Sequence, residues 1–389
     1  MTRATPVAPK QIVSMSIVGI ALASASMAVV GQPSTGAARS SDTVYVAPNG
    51  DDSRSGKLPA EALRSLKRVQ QLLKSQSLRI EGKQLTVKML PGTYRNMGVD
   101  WDYVAPGKQI VFEPAEATPP GKYSVIVSGN GDELGQFFRL RITEPSTTPV
   151  NTGIVIRNLH VTDFCEGVSL GDWKSKGPAA GNVIEGNLFS RIGSKYETPT
   201  PQPTGKPLPD GKCVAGIRVQ DSTQNTIRGN TFAQIENLPS GQTGAKKYGP
   251  ALLHAIYVSN KSTANRIENN TFREFTGSPV RIRASSNDNV VAGNTFESPI
   301  YVAQTEGKYT ISAVSQWYCN DAVKVCKDKA EDGQAECPST GLEIVGNKVG
   351  SGMILYADDS QSKKATCAAS TSVSEAQRQP KLKDNTTAR

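Results

Sequence analysis

One phrase of apolar and polar positions recurs along the middle of the chain. It reads Asn182-Val-Ile-Glu-Gly-Asn187-Leu-Phe189, then Asn225-Thr-Ile-Arg-Gly-Asn230-Thr-Phe232. It returns as Asn265-Arg-Ile-Glu-Asn-Asn270-Thr-Phe272 and as Asn289-Val-Val-Ala-Gly-Asn294-Thr-Phe296, with a weaker copy at Leu342-Glu-Ile-Val-Gly-Asn347-Lys-Val349. Asn270 and Asn294 are 24 residues apart, one repeat without insertion. Before each of the first four copies lies an alternating segment: Gly167-Val-Ser-Leu170, Gly216-Ile-Arg-Val219, Ala255-Ile-Tyr-Val258 and Pro279-Val-Arg-Ile282. Apolar side chains at every second position define strands with one face inward. Short strands, Asn/Gly corners and a period in the low twenties predict a solenoid of strands. The Phe189, Phe232, Phe272 and Phe296 file is expected to stack in the core. The Asn file suits the corners, because Asn tolerates left-handed backbone and bonds locally.

These repeats resemble the right-handed parallel β-helix proteins of the pectate-lyase-like group. The opening Val44-Tyr-Val-Ala-Pro-Asn-Gly50, the helical spacing of Leu63, Leu66, Val69, Leu72 and Leu73, and the strand Leu85–Tyr94 resemble the group's N-terminal cap. The resemblance implies an all-β, right-handed parallel β-helix of about ten coils over residues 39–367, capped by a helix near residues 60–74. Residues 368–389 lack a core pattern and read as a disordered polar tail. The same coil carries lyases, hydrolases, epimerases and non-catalytic surface proteins, so the fold alone assigns no activity.

Residues 1–38 read as an export signal. Arg3 and Lys10 precede an apolar run from Ile12 to Val30, and Gly36-Ala37-Ala38 offers a cleavage site; an uncleaved single anchor is the alternative. Six cysteines fit a secreted, oxidised protein. Cys165 and Cys213 fall before equivalent strands and are placed to bridge neighbouring coils, while the pairing of Cys319, Cys326, Cys337 and Cys367 stays open. Part of the net charge of +9 lies in the leader and in Arg378, Lys381, Lys383 and Arg389. The coil itself therefore carries a mild positive excess, suited to an acidic polysaccharide. No basic stripe with interleaved aromatics points to nucleic acid. Once the signal is removed nothing points to a membrane, and the protein is read as a monomer. With two histidines and no paired Cys/His cluster, a zinc site has no support.

Aligned strands put Ser169, Arg218, Tyr257 and Arg281 in one outward file, and Gly171, Gln220, Ser259 and Arg283 in a second. The insertions Gly193–Lys212 and Asn237–Pro250 leave the coil at one corner and are expected to wall this ladder. The stretch Ser259-Asn-Lys-Ser262 followed by Arg281-Ile-Arg283 resembles the catalytic region of alginate-lyase and chondroitinase-B-like β-helix lyases. That resemblance implies Lys261 as base and Arg283 as the arginine of the site, with Arg281 as the alternative. Eliminating across a uronic acid requires a neutralised carboxylate, removal of the C5 proton and protonation of the O4 leaving group. Arginine neutralises a carboxylate with paired planar donors, and two neighbouring guanidiniums favour the neutral, basic form of a lysine. Tyr257 or His254 would donate the proton, while Arg218, Arg281 and Gln220 would bind substrate. The family's acidic calcium ligands fall here at His254 and Ile256, so calcium has no matched ligands and no metal residue is assigned. A non-catalytic extracellular carbohydrate-binding or surface protein is the competing reading.

Overall fold

The computed structural model describes residues 42–130, 134–196, 213–237, 250–297, 299–300, 311–317, 337–358 and 374–388. The leader, most of both insertions, and Cys319, Cys326 and Cys367 lie outside these residues. Among the described residues every paired strand runs parallel to its neighbours, and successive passes of the chain return to the same three long sheets, with a fourth of three short strands beside them. The first sheet has ten strands, from Asp42–Val46 to Lys381–Lys383. The second has nine, from Gly92–Arg95 to Thr386–Thr387, and the third has eight, from Val99–Trp101 to Met353–Asp358. Parallel pairing in this order is what an inward apolar file repeated once per turn dictates. Each coil buries its apolar face only when the next coil covers it.

The repeat phrase accounts for two of the sheets and the corner between them. Ile184, Ile227, Ile267 and Val291 lie in register in the first sheet and are fully buried. In the second sheet Phe189, Phe232, Phe272 and Phe296 stack nearly parallel, with centroids 5.1, 5.1 and 4.8 Å apart. That is the strand spacing of a sheet, so each ring rides on one strand and touches the ring above and below.

The buried asparagines work differently from the sequence expectation. Asn187, Asn230, Asn270, Asn294 and Asn347 have ordinary backbone. The left-handed conformation falls to the residue before each: Gly186, Gly229, Asn269, Gly293 and Gly346. The asparagine side chains instead form a ladder. Asn230 Nδ2 and its backbone N–H both donate to Asn270 Oδ1, at 3.0 and 2.9 Å, and Asn270 repeats the pattern to Asn294. A second ladder runs from Asn182 through Asn225 and Asn265 to Asn289. Corners of a buried coil leave backbone groups without strand partners, and these amides satisfy them at every turn.

Helix Leu66–Lys74 is capped by Ser65, whose side chain accepts from the Arg68 N–H at 3.1 Å. It buries Leu66, Val69 and Leu73. Gln70 Nε2 donates to the Asp100 carbonyl next to the terminal strand of the third sheet. No helix among the described residues is long and apolar enough to cross a membrane. Residues 374–388 depart from the expected polar tail. They form a short helix, Glu375–Arg378, and two strands in register with Glu343–Val345 and Lys348–Val349. Asn385 extends the buried ladder by accepting from Asn347. The hydrophobic pattern missed this segment because its pairing is carried by backbone and one asparagine.

Candidate active site

The first outward file is in register as the alignment predicts, and it is longer. Asp100, Arg139, Ser169, Arg218, Tyr257, Arg281 and Ser315 follow one another across seven strands of the third sheet. In the second file Gln220 pairs with Ser259, and Arg283 pairs with Trp317.

Arg283 is the best-organised member. Its Nη1 donates to the Tyr257 hydroxyl at 2.9 Å, and its guanidinium lies 3.9 Å from the Trp317 ring centroid. Stacking on an indole fixes the guanidinium plane, a geometry lysine cannot reproduce. Because arginine only donates, the phenol accepts from it and keeps its own proton for another partner. Arg281 is nearly buried at 8% exposure, and its Nε donates to Ser315 Oγ at 3.1 Å. Lys261 is exposed in the turn after Tyr257, with left-handed backbone at φ 59°, and its N–H donates to the Ala284 carbonyl at 2.8 Å. The Asp221 carboxyl is raised above the usual range by burial and partly drawn back by the Lys261 charge.

His254 sits on a different side of its strand from the one alternation assigns. Ala255 and Ile256 both belong to the core, so the inward phase breaks there. The same break occurs one position before Phe138, where Phe137 is also core. His254 is thereby brought over Tyr257, the two rings nearly parallel with centroids 5.5 Å apart. It is 2% exposed, and its Nδ1 lies 2.7 Å from the Ser278 carbonyl. A carbonyl only accepts, so Nδ1 carries the proton and that proton is committed. Burial first, then the charges of Arg281 and Arg283, hold the imidazole well below its ordinary value of 6.5. A neutral ring whose N–H is engaged is a packing and acceptor group and a poor proton donor.

Gln220 is 1% exposed with Oε1 unpartnered, and Arg218 is half-buried with Nε unpartnered. The break in alternation also brings forward residues that sequence reasoning passed over. Gln136 and Glu166 are in register at the start of their strands, on the side of Arg139: Arg139 Nε donates to Gln136 Oε1 at 2.9 Å. Arg139 pairs with Asp100 at 3.1 Å, and Arg141 pairs with the buried Asp172 at 2.5 Å. Burial raises the Glu166 carboxyl, against the lowering influence of Arg218, Arg139 and the Val214 amide. Cys165 and Cys213 form the disulfide expected between neighbouring coils, immediately beside Glu166 and Val214. Cys337 is also disulfide-bonded. The signal that would have found Glu166 was its place one residue before the aligned Gly167, on the strand whose Ser169 has an arginine opposite it on each flanking coil.

Of the two insertions only the stems are described. Ile192 pairs with Ile235, and Ser194 donates to Asn237 Oδ1, so the stems are neighbours at one corner. Lys195 and Tyr196 both bind Glu236, the lysine at 2.6 Å. Among the described residues no group of three or more His, Cys, Asp or Glu is placed to hold a metal ion.

Residues 149–315 match the family model described as the right handed beta helix region. Together with the sheet order above, this match makes the fold a right-handed parallel β-helix. No curated protein sequence matches the chain. Among solved structures it is similar to the pectate lyase Pel9A, at 12% identity over 89% of this chain and 76% of that one, with a TM-score of 0.49. An alginate lyase from Paenibacillus sp. str. FPU-7 is 15% identical over 82% and 99%, TM-score 0.36. The A-module of the mannuronan C-5 epimerase AlgE4 from Azotobacter vinelandii is 12% identical over 83% and 91%, TM-score 0.31.

Proposed function

On this right-handed coil, we propose, sits a secreted polysaccharide lyase that cleaves uronic-acid-containing polymers by β-elimination. The observation carrying the proposal is the Arg283–Tyr257 pair on the outer face of the third sheet, with Arg281 in the same file and Lys261 in the adjoining turn. Arg283, held flat on Trp317, binds the C6 carboxylate and stabilises the charge that develops there. Lys261 takes the C5 proton; the C5–H electrons form the C4–C5 double bond, and the C4–O4 bond breaks. Tyr257 gives its proton to O4. This assignment favours Tyr257 over His254 as the acid, because the His254 proton is held by Ser278. Arg281 supports the anionic face from beneath, and Arg218 lies one strand back along the ladder. The Cys165–Cys213 disulfide is compatible with an exported protein.

The test is the ultraviolet absorbance of the unsaturated product, followed on pectate, alginate and glycosaminoglycan substrates. Absorbance growth on any of them, lost in Tyr257→Phe, supports the proposal. One observation favours a non-catalytic carbohydrate-binding protein instead: Lys261 is an exposed turn residue whose charge draws down the Asp221 carboxyl, a surface pairing that needs no catalytic role. No product from any substrate, with polymer binding retained, would establish that second reading.

A further inference from the structure

Three buried polar atoms lie without partners around the start of strand Glu166–Leu170. Glu166 Oε1 is an acceptor with no donor; Arg218 Nε and Gln136 Nε2 are donors with no acceptor. Glu166 and Gln136 are 9% and 4% exposed. Unsatisfied buried polar atoms are costly and uncommon in native proteins, and three in one neighbourhood point to something they bind. They share that neighbourhood. Gln136 and Glu166 are register partners, and the Arg218 charge acts on the Glu166 carboxyl. The positions between them are small. Ser169 separates Arg139 from Arg218 and spends its hydroxyl on the Gly171 carbonyl at 2.7 Å, and Ala215 separates Glu166 from His254.

We propose that Glu166, Gln136 and Arg218 form a second contact point for an acidic sugar unit, in the file that leads to Tyr257 and Arg281. Arg218 and Gln136 donate to the carboxylate of the unit, and Glu166 accepts from one of its hydroxyls. The pairing favours a uronate over a neutral sugar, since a carboxylate is the charged acceptor that a guanidinium donor binds most strongly. Its position follows from register: Arg218 pairs with Tyr257 and Tyr257 with Arg281, so the contact lies two strands back from Arg281. At about 4.8 Å per strand, a polymer laid along the coil axis would engage both places with different units. The inference rests on the acidic polymer of the proposed function and does not require that the polymer be cleaved.

The test is binding of the full-length protein to polygalacturonate, alginate and chondroitin sulfate, each compared with its methyl-esterified form, by titration calorimetry. On the polymer that binds, Arg218→Ala should weaken affinity on the order of tenfold, and Glu166→Gln by a smaller factor. The Arg218→Ala loss should shrink on the esterified polymer, and the Glu166→Gln loss, a hydroxyl contact, should persist there. Glu166→Gln keeps the shape of the side chain, and unchanged melting temperatures separate a lost contact from a lost fold. An equal Arg218→Ala loss on acid and ester, unchanged affinity in both variants, or a wild-type protein that binds none of the three would overturn the proposal. Loss of affinity in the variants without any unsaturated product would leave this contact standing and remove the lyase reading.

Discussion

Arg283 holds the Tyr257 hydroxyl at 2.9 Å from the strand above while lying flat on Trp317 of the strand beyond. Three consecutive coils thus supply base plate, cation and phenol, each fixed by strand register. If Tyr257 is the proton donor, Tyr257→Phe should lower kcat roughly 10²–10⁴-fold, the range for losing a general acid, with little change in KM. Arg283→Lys should also lose activity despite keeping the charge. Steady-state kinetics on the responsive polymer separates the two.

Lys261 is exposed, and its bond to the next coil is made by its backbone N–H. Lys261→Ala should therefore leave stability within about 0.5 kcal/mol of wild type, while turnover collapses and polymer binding survives. Thermal unfolding alongside kinetics and binding checks all three. A variant that keeps its kcat would remove Lys261 as base.

The buried His254 and Glu166 pull stability in opposite directions with pH. His254 is held below its ordinary 6.5, so the unfolded chain takes up a proton that the folded one refuses. Its contribution is intact above pH 6.5 and is lost as pH falls toward the folded value, by at most about 1.4 kcal/mol per pH unit. Glu166 is held above its ordinary 4.5; its contribution is present below that value and is lost as pH rises through the folded one. Chemical denaturation across pH 4 to 8 should show a flatter acid limb in His254→Asn, and a gain at higher pH in Glu166→Gln.

Asn270 satisfies the Asn230 N–H, the Asn230 amide, the Ile227 carbonyl and Asn294 Oδ1 at once. Asn270→Ala leaves several of these buried groups bare, at about 1–3 kcal/mol each before relaxation. The melting temperature should fall far more than in Asn385→Ala, where the ladder has only one neighbour left to lose.

Cys165 and Cys213 lie 48 residues apart and enclose the strands Glu166–Leu170, Ala179–Ala180, Val183–Glu185 and Leu188–Ile192 together with the first insertion. Replacing both with serine should cost about 4 kcal/mol by the chain-entropy relation. It should also loosen the Val214 amide from Glu166. Denaturant midpoints with and without reductant read the first effect.

The coil was legible because its information is periodic. Phe189, Phe232, Phe272 and Phe296 state the repeat outright, and the outward file from Ser169 to Arg281 follows once they are aligned. What periodicity could not convey is where it fails. The consecutive core residues Phe137-Phe138 and Ala255-Ile256 reverse the phase by one position. A strict alternation therefore turns His254 inward, when it lies over Tyr257, and overlooks Glu166 altogether. Arg281 and Gln220 were legible as outward positions but not as buried ones, since burial on an outer face depends on the neighbouring side chains. The ordering of residues 374–388 was hidden for a related reason: one asparagine and backbone pairing replace a hydrophobic file.

The last strand of the first sheet is Lys381–Lys383, fully exposed, with the Lys381 ammonium 2.9 Å from Glu343. A stack of parallel strands has open ends, and an open end is a template that any strand of similar pitch is able to extend. Two lysines on a three-residue strand make that template repel its own image, because a second copy arriving end to end would set like charges a strand apart. The polar terminal coil is thus a stopper. It closes the hydrogen bonds of the coil beneath and sets two lysines on the edge that it presents.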